Sequence, residues 1–154
     1  MDKNMIPKLI FSVFLAGSAG ALSSPVQAAV AYTGTFYEDS VRTSCSDPAF
    51  VCRVSFSPVP AGKTLTILRV ACHISRGKPV SWISLNVSLT SGGASKRFLA
   101  MPVVEAQTDS NAHYYNFNQD VLYQVSSGRF PHIRINSPTA TYSSSDCTIT
   151  GNLN

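Results

Sequence analysis

The chain has 154 residues, a length that favours one domain. Charged residues make up only 13% and hydrophobic residues 44%, which excludes a charged helical bundle and suits strands with hydroxyl-bearing outer faces. The formal charge of +4 is mild and unclustered, so a nucleic-acid-binding stripe is excluded.

Lys3 and Lys8 open the chain as a short basic segment, and residues 9–22 (LIFSVFLAGSAGAL) follow as an apolar run. Ser23-Ser24-Pro25 breaks any helix, and Val26-Gln27-Ala28 supplies small residues at a cleavage point, with Ala29-Val30-Ala31 as a second option. This order of basic, apolar and small segments marks a secretion signal over residues 1–28, removed to leave a domain over 29–154. Fourteen helical residues span roughly 21 Å, short of the ~30 Å hydrocarbon core, so the run is read as a signal and not an anchor. No membrane span is expected after its removal. Without Lys3, Lys8 and Asp2 the mature part carries ten basic and seven acidic residues, near +3.

Val30, Tyr32 and Phe36, with Gly34 between, begin the mature chain in strand-like alternation. Cys45, Cys52, Cys72 and Cys147 follow, an even count that in an exported chain reads as two disulfides. Three pairings are open. Cys45–Cys52 is favoured because Ser46-Asp47-Pro48 is a turn that doubles the chain back. Cys72–Cys147 is favoured because Val70, Cys72 and Ile74 share one strand face, as do Cys147, Ile149 and Leu153. On the chain-entropy relation these bonds stabilise by about 2.4 and about 4.5 kcal/mol. Free buried thiols or a zinc site are the alternatives, and neither Cys-x-x-Cys nor a ligand-like His offset supports zinc.

Residues 50–56 alternate as a strand, and the Pro58–Lys63 stretch, with two prolines and a glycine, is a loop. Leu65 and Ile67 alternate, then Val70, Cys72 and Ile74, and the slip in phase predicts a bulge near Leu68. Arg76-Gly77-Lys78-Pro79 is a turn. Ile83, Leu85, Val87 and Leu89 point inward, with Ser84, Asn86 and Ser88 outward. Ser91-Gly92-Gly93-Ala94 is a hairpin turn, and residues 98–104 form the return strand. Residues 105–112 are a polar loop or at most one helical turn. Tyr115 and Phe117 mark one strand, and Val121, Tyr123 and Val125 the next. Ser127-Gly128 turns into Phe130, Ile133 and Ile135. Ser137-Pro138 turns again before residues 147–153. Eight to nine short strands with no helical stripe predict an all-β fold, a two-sheet sandwich of jelly-roll or immunoglobulin-like character.

The run Val59-Pro60-Ala61-Gly62-Lys63-Thr64-Leu65-Thr66-Ile67, a later strand cysteine and the ending Cys147-Thr148-Ile149-Thr150-Gly151 resemble small secreted bacterial β-sandwich proteins of unassigned function. The resemblance implies a bacterial source and an exported sandwich, and carries no catalytic residue across.

The chain has neither the Gly-x-Ser-x-Gly of a nucleophile elbow nor a His-Glu-x-x-His zinc motif. His73, His113 and His132 fall on separate elements. The acids Glu38, Asp39, Asp47, Glu105, Asp109, Asp120 and Asp146 read mostly as loop or turn residues. No enzyme activity and no cofactor is therefore expected.

Ligand contact has three candidate places. In His113-Tyr114-Tyr115-Asn116-Phe117-Asn118-Gln119, parity sets Tyr114 and Asn116 on one face, where ring and amide suit a glycan; the bland alternative is an ordinary strand with a polar outer side. Trp82, the sole tryptophan, has the parity of Ser84 and Asn86 and would face outward as an interface residue or as cover for a sheet edge. Arg76 and Lys78 share a turn, Lys96 and Arg97 adjoin another, and Arg129 stands in a third. Clustered at one end of a sandwich, these would form a basic rim for acidic polysaccharide or anionic headgroups; otherwise they keep loops soluble.

The expected function is a non-catalytic binding module in the periplasm or outside the cell, recognising glycan or another envelope component. A structural subunit is the alternative, assembling by donation of the segment Val30–Phe36 as a strand. Neither reading fixes an oligomeric state.

Overall fold

Branched and aromatic residues alternate with Ser, Thr and Asn along most of the chain, and a pleated backbone converts that period into one dry and one wetted face. The computed structural model describes residues 29–46 and 49–154. Within them lie ten strands and no helix: β1 Ala29–Thr33, β2 Phe36–Cys45, β3 Val51–Ser55, β4 Leu65–Arg76, β5 Trp82–Ser88, β6 Ser95–Met101, β7 Glu105–Thr108, β8 His113–Val125, β9 Phe130–Asn136 and β10 Ser143–Leu153. The signal expected over 1–28 and the turn residues Asp47 and Pro48 lie outside the described residues.

The strands form two antiparallel sheets, six-stranded in the order β1-β2-β10-β4-β8-β7 and four-stranded in the order β3-β9-β5-β6. Their inner faces share one core. Tyr37, Val41, Leu65, Ile67, Val70, Ile74 and Ile149 come from the larger sheet, and Val54, Ile83, Leu85, Ile133 and Ile135 from the smaller. The all-β sandwich is thus as the alternation predicts.

Both favoured disulfides are present. Cys45–Cys52 joins the end of β2 to β3 and so ties the two sheets together. Cys72–Cys147 lies within the larger sheet, between directly paired residues of β4 and β10 whose Cα atoms are 4.2 Å apart. Such bonds persist in oxidising compartments. No helix among the described residues is long and apolar enough to cross a membrane.

Several expectations change. Tyr115 through Val125 is one strand, because the inward parity of Tyr115, Tyr123 and Val125 never switches across the polar Gln119-Asp120. The expected loop at 105–112 contains β7, a short exposed edge strand. The return strand from the hairpin is Ser95–Met101, ending before Pro102. Residues 36–45 form a ten-residue strand that apolar counting overlooks, since its inward positions alternate Tyr37, Asp39 and Val41. Asp39, Asp120 and Asp146 are accordingly strand residues. The bulge at Leu68 is present against β10, where the consecutive Thr150 and Gly151 pair with Arg69 and Ile67 and leave Leu68 as the extra residue.

Candidate functional site

The glycan-contacting residues expected at Tyr114 and Asn116 lie on the outer face of the six-stranded sheet. Register aligns Arg42 of β2, Asp146 of β10, His73 of β4 and Asn116 of β8 in one row across four strands. Arg42 clasps Asp146 from Nε (3.1 Å) and Nη2 (2.7 Å), both bonds reaching the same oxygen, Oδ2. His73 donates from Nδ1 to Asn116 Oδ1 at 2.5 Å. The ring of Tyr114 stacks beside His73, with centroids 6.4 Å apart and planes at 27°.

A shallow depression of about 590 Å³ opens along this row. Ser75, Ser144 and Thr148 supply hydroxyls, and Ala71, Cys72 and Phe117 an apolar floor. The small Ala71 leaves the floor open, because no side chain rises between its neighbours on β10 and β8. Tyr114 and Asn116 border the depression through their contacts with His73 and are not part of its lining.

The Tyr114 hydroxyl donates to Asp109 Oδ2 at 3.1 Å. Asp109 also accepts the backbone N–H groups of Asn111 and Ala112 at 2.8 Å each. Those backbone bonds hold the Asp109 carboxyl below its ordinary range, and the resulting anion raises the Tyr114 phenol above its own. Tyr114 is therefore a fixed, protonated ring at the end of the row. Beneath it, Tyr115 is buried, accepts the Val80 N–H at 2.9 Å and donates to Glu105 Oε2 at 3.1 Å.

Arg42, His73 and Asp146 are site residues that sequence reasoning missed. His73 carried a partial signal, since adjacency to the inward Cys72 sends it outward. The contacts with Arg42 and Asp146 depend on β10 running between β2 and β4, which periodicity does not encode. Among the described residues no three His, Cys, Asp or Glu side chains converge as a metal site.

Trp82 is not brought to this face. It opens β5 on the outer side of the four-stranded sheet, 42% exposed, with its edge against Phe98 (centroids 5.3 Å, 83°). Ser84, Asn86 and Ser88 share its outward parity yet are buried. The register places Ser84 beside Arg134 and Asn86 beside His132 and Phe98, so longer neighbours stand around these short side chains. Asn86 also folds back onto Ser84, donating to its carbonyl and hydroxyl oxygens at 2.8 Å.

The basic rim does not form as expected. Arg76 is the last residue of β4 and wholly buried, not a turn residue at the surface. Its inward parity carries the guanidinium between the sheets, where Nη2 donates to the carbonyls of Ala49 (2.8 Å) and Phe50 (3.3 Å) and Nη1 to that of Ile135 (3.3 Å). Burial lowers its pKa. Lys78 is exposed in the β4–β5 connection at this same end of the sandwich. Arg129, in the β8–β9 turn, lies at the far end and joins Lys96 and Arg97 there. The segment considered for donation is engaged within the chain, since β1 pairs with β2 from Ala29↔Ser40 to Thr33↔Phe36.

No protein-family model and no curated protein matches the chain. Among solved structures it is similar to a chain of the cyanophage Pam1 capsid asymmetric unit, at 19% identity and a TM-score of 0.45, over 91% of this chain and 99% of that one.

Proposed function

We propose that the protein is a non-catalytic binding module, exported to an oxidising compartment, that takes a glycan on the outer face of its six-stranded sheet. The row Arg42–Asp146–His73–Asn116 beside an open depression carries this reading. Sugar hydroxyls need paired donors and acceptors held at fixed spacing, and the Arg42–Asp146 pair and the Asn116 amide offer both. The C–H face of a pyranose needs a flat ring to lie against, and Tyr114 is held beside His73 by its bond to Asp109. Every member stands on a strand, so little ordering remains to be done on binding.

A glycan array probed with the mature protein tests the class, followed by calorimetric titration of the retained sugar. Tyr114→Ala and Asp146→Asn are each expected to weaken binding at least tenfold while thermal unfolding stays cooperative. An array that retains no sugar, or full affinity in both folded variants, overturns the assignment.

A further inference from the structure

The described acids, Glu38, Asp39, Glu105, Asp109, Asp120 and Asp146, all fall on the six-stranded sheet or on the β7–β8 connection. The four-stranded sheet has none and carries Arg53, Lys96, Arg97 and Arg134. The six-stranded sheet also carries Arg42, Arg69 and Arg76, so it is the acids that are segregated, and a cleft of about 300 Å³ without them lies where the β5–β6 hairpin faces the end of β8 and the β8–β9 turn. Lys96, Arg97 and Arg129 line it together with Ser126, Leu89 and Gln124, and no carboxylate does. None of the three cations forms an ion pair among the described residues.

The cleft is built before any ligand arrives. Arg97 lies over the Tyr123 ring, 4.3 Å from Cζ to the centroid, and its Nη2 donates to the Gln124 carbonyl. The Tyr123 hydroxyl in turn donates to the Arg97 carbonyl at 3.0 Å. Arg129 follows Gly128, whose φ of +69° is left-handed and suits glycine. That turn is fixed by Arg129 N–H to Ser126 O (3.2 Å), Val59 N–H to Arg129 O (3.0 Å) and Gly128 N–H to Val59 O (2.8 Å). On the hairpin side, the Ser88 hydroxyl donates to Thr90 O at 2.8 Å. Three positive charges lining one cleft with no carboxylate favour an anion there. The apolar walls from Val87 and Val125 reduce the screening that water would otherwise provide.

We propose that this cleft binds a phosphate group, with Lys96, Arg97 and Arg129 as its ligands. A phosphate monoester carries close to two negative charges at neutral pH and three strong acceptor oxygens, which matches three cations lining one cleft better than a single carboxylate does. The site shares no residue with the glycan-binding row, so either assignment can fail alone. The group could arrive as a soluble phosphate or on a lipid headgroup.

Amide NMR of the folded protein, titrated with inorganic phosphate against sodium chloride at constant ionic strength, tests the proposal. Saturable shifts are expected at residues 87–97 and 124–129, with affinity at least tenfold weaker in Lys96→Gln/Arg129→Gln and unchanged in Lys78→Gln. Sedimentation with vesicles containing phosphatidic acid, against pure phosphatidylcholine, forms the second arm. Binding of free phosphate without vesicle retention assigns a soluble ligand, and retention abolished by the double variant assigns a headgroup. Shifts that chloride reproduces, equal loss in Lys78→Gln, or binding of neither probe overturns the site.

Discussion

Burying a guanidinium without a carboxylate is costly, and Arg76 is held by three carbonyl oxygens from the β2–β3 connection and β9. Its removal would leave those oxygens dry as well as a void between the sheets. Arg76→Ala is expected to cost roughly 3 kcal/mol or more in urea unfolding. His132 is the second unusual residue, 1% exposed on the outer side of the smaller sheet. It accepts from the Ser95 hydroxyl at Nε2 (3.3 Å) and donates from Nδ1 to the Phe130 carbonyl (3.4 Å). Burial first, then the positive charges of Arg53 and Arg134, push its pKa down to about 4, with the Phe130 bond opposing them. The folded protein therefore resists protonation that the unfolded chain accepts below about pH 6.5. Stability from this residue is intact above that value and falls as pH drops toward 4, by at most about 3 kcal/mol. Urea midpoints at pH 7 and pH 4.5 should differ less in His132→Gln than in the parent.

Among the elements, β10 is the most constrained. It lies between β2 and β4, and its register against β4 shifts between Thr150 and Gly151. A Cβ on Gly151 would stand 2.0 Å from the Thr66 carbonyl oxygen, a backbone atom that cannot swing aside. Gly151→Ala is expected to destabilise by at least about 2 kcal/mol in thermal or urea unfolding. The two disulfides act at different levels. Replacing Cys72 and Cys147 by Ser frees a loop of 75 residues, and replacing Cys45 and Cys52 frees one of 7. Differential scanning calorimetry should show the larger loss for the first pair, by about 2 kcal/mol on the loop-entropy relation. Much at this scale was legible. Parity turned Cys72 and Cys147 toward each other, the slip after Ile67 marked the bulge, and Gly92 and Gly128 marked turns in which both have positive φ. What stayed hidden lay where tertiary context overrides composition. Asp39 is inward on β2 because the Ser57 N–H (2.7 Å) and the Tyr37 hydroxyl (3.3 Å) meet its Oδ2. Arg76 looked like a turn residue because Gly77 and Pro79 follow it.

At the level of the whole molecule, period-two alternation was enough to give the sandwich, since it states which face of each strand is dry. It does not state which strands are neighbours. The Arg42–Asp146–His73–Asn116 row brings together residues more than 100 positions apart, and the cation cleft joins strands from both sheets. The segregation of the acids follows the same logic, because each sheet draws on segments scattered through the chain.

The central place of β10 sets a timetable for assembly. As a ribosome releases the chain N-terminus first, β2 and β4 lack their shared partner until residues 143–153 emerge, and the larger sheet waits as two halves with raw hydrogen-bonding edges. Maturation is thus confined to the period after synthesis has passed that point. A mature chain truncated before residue 143 should be protease-sensitive, whereas one that includes residues 143–153 should be resistant.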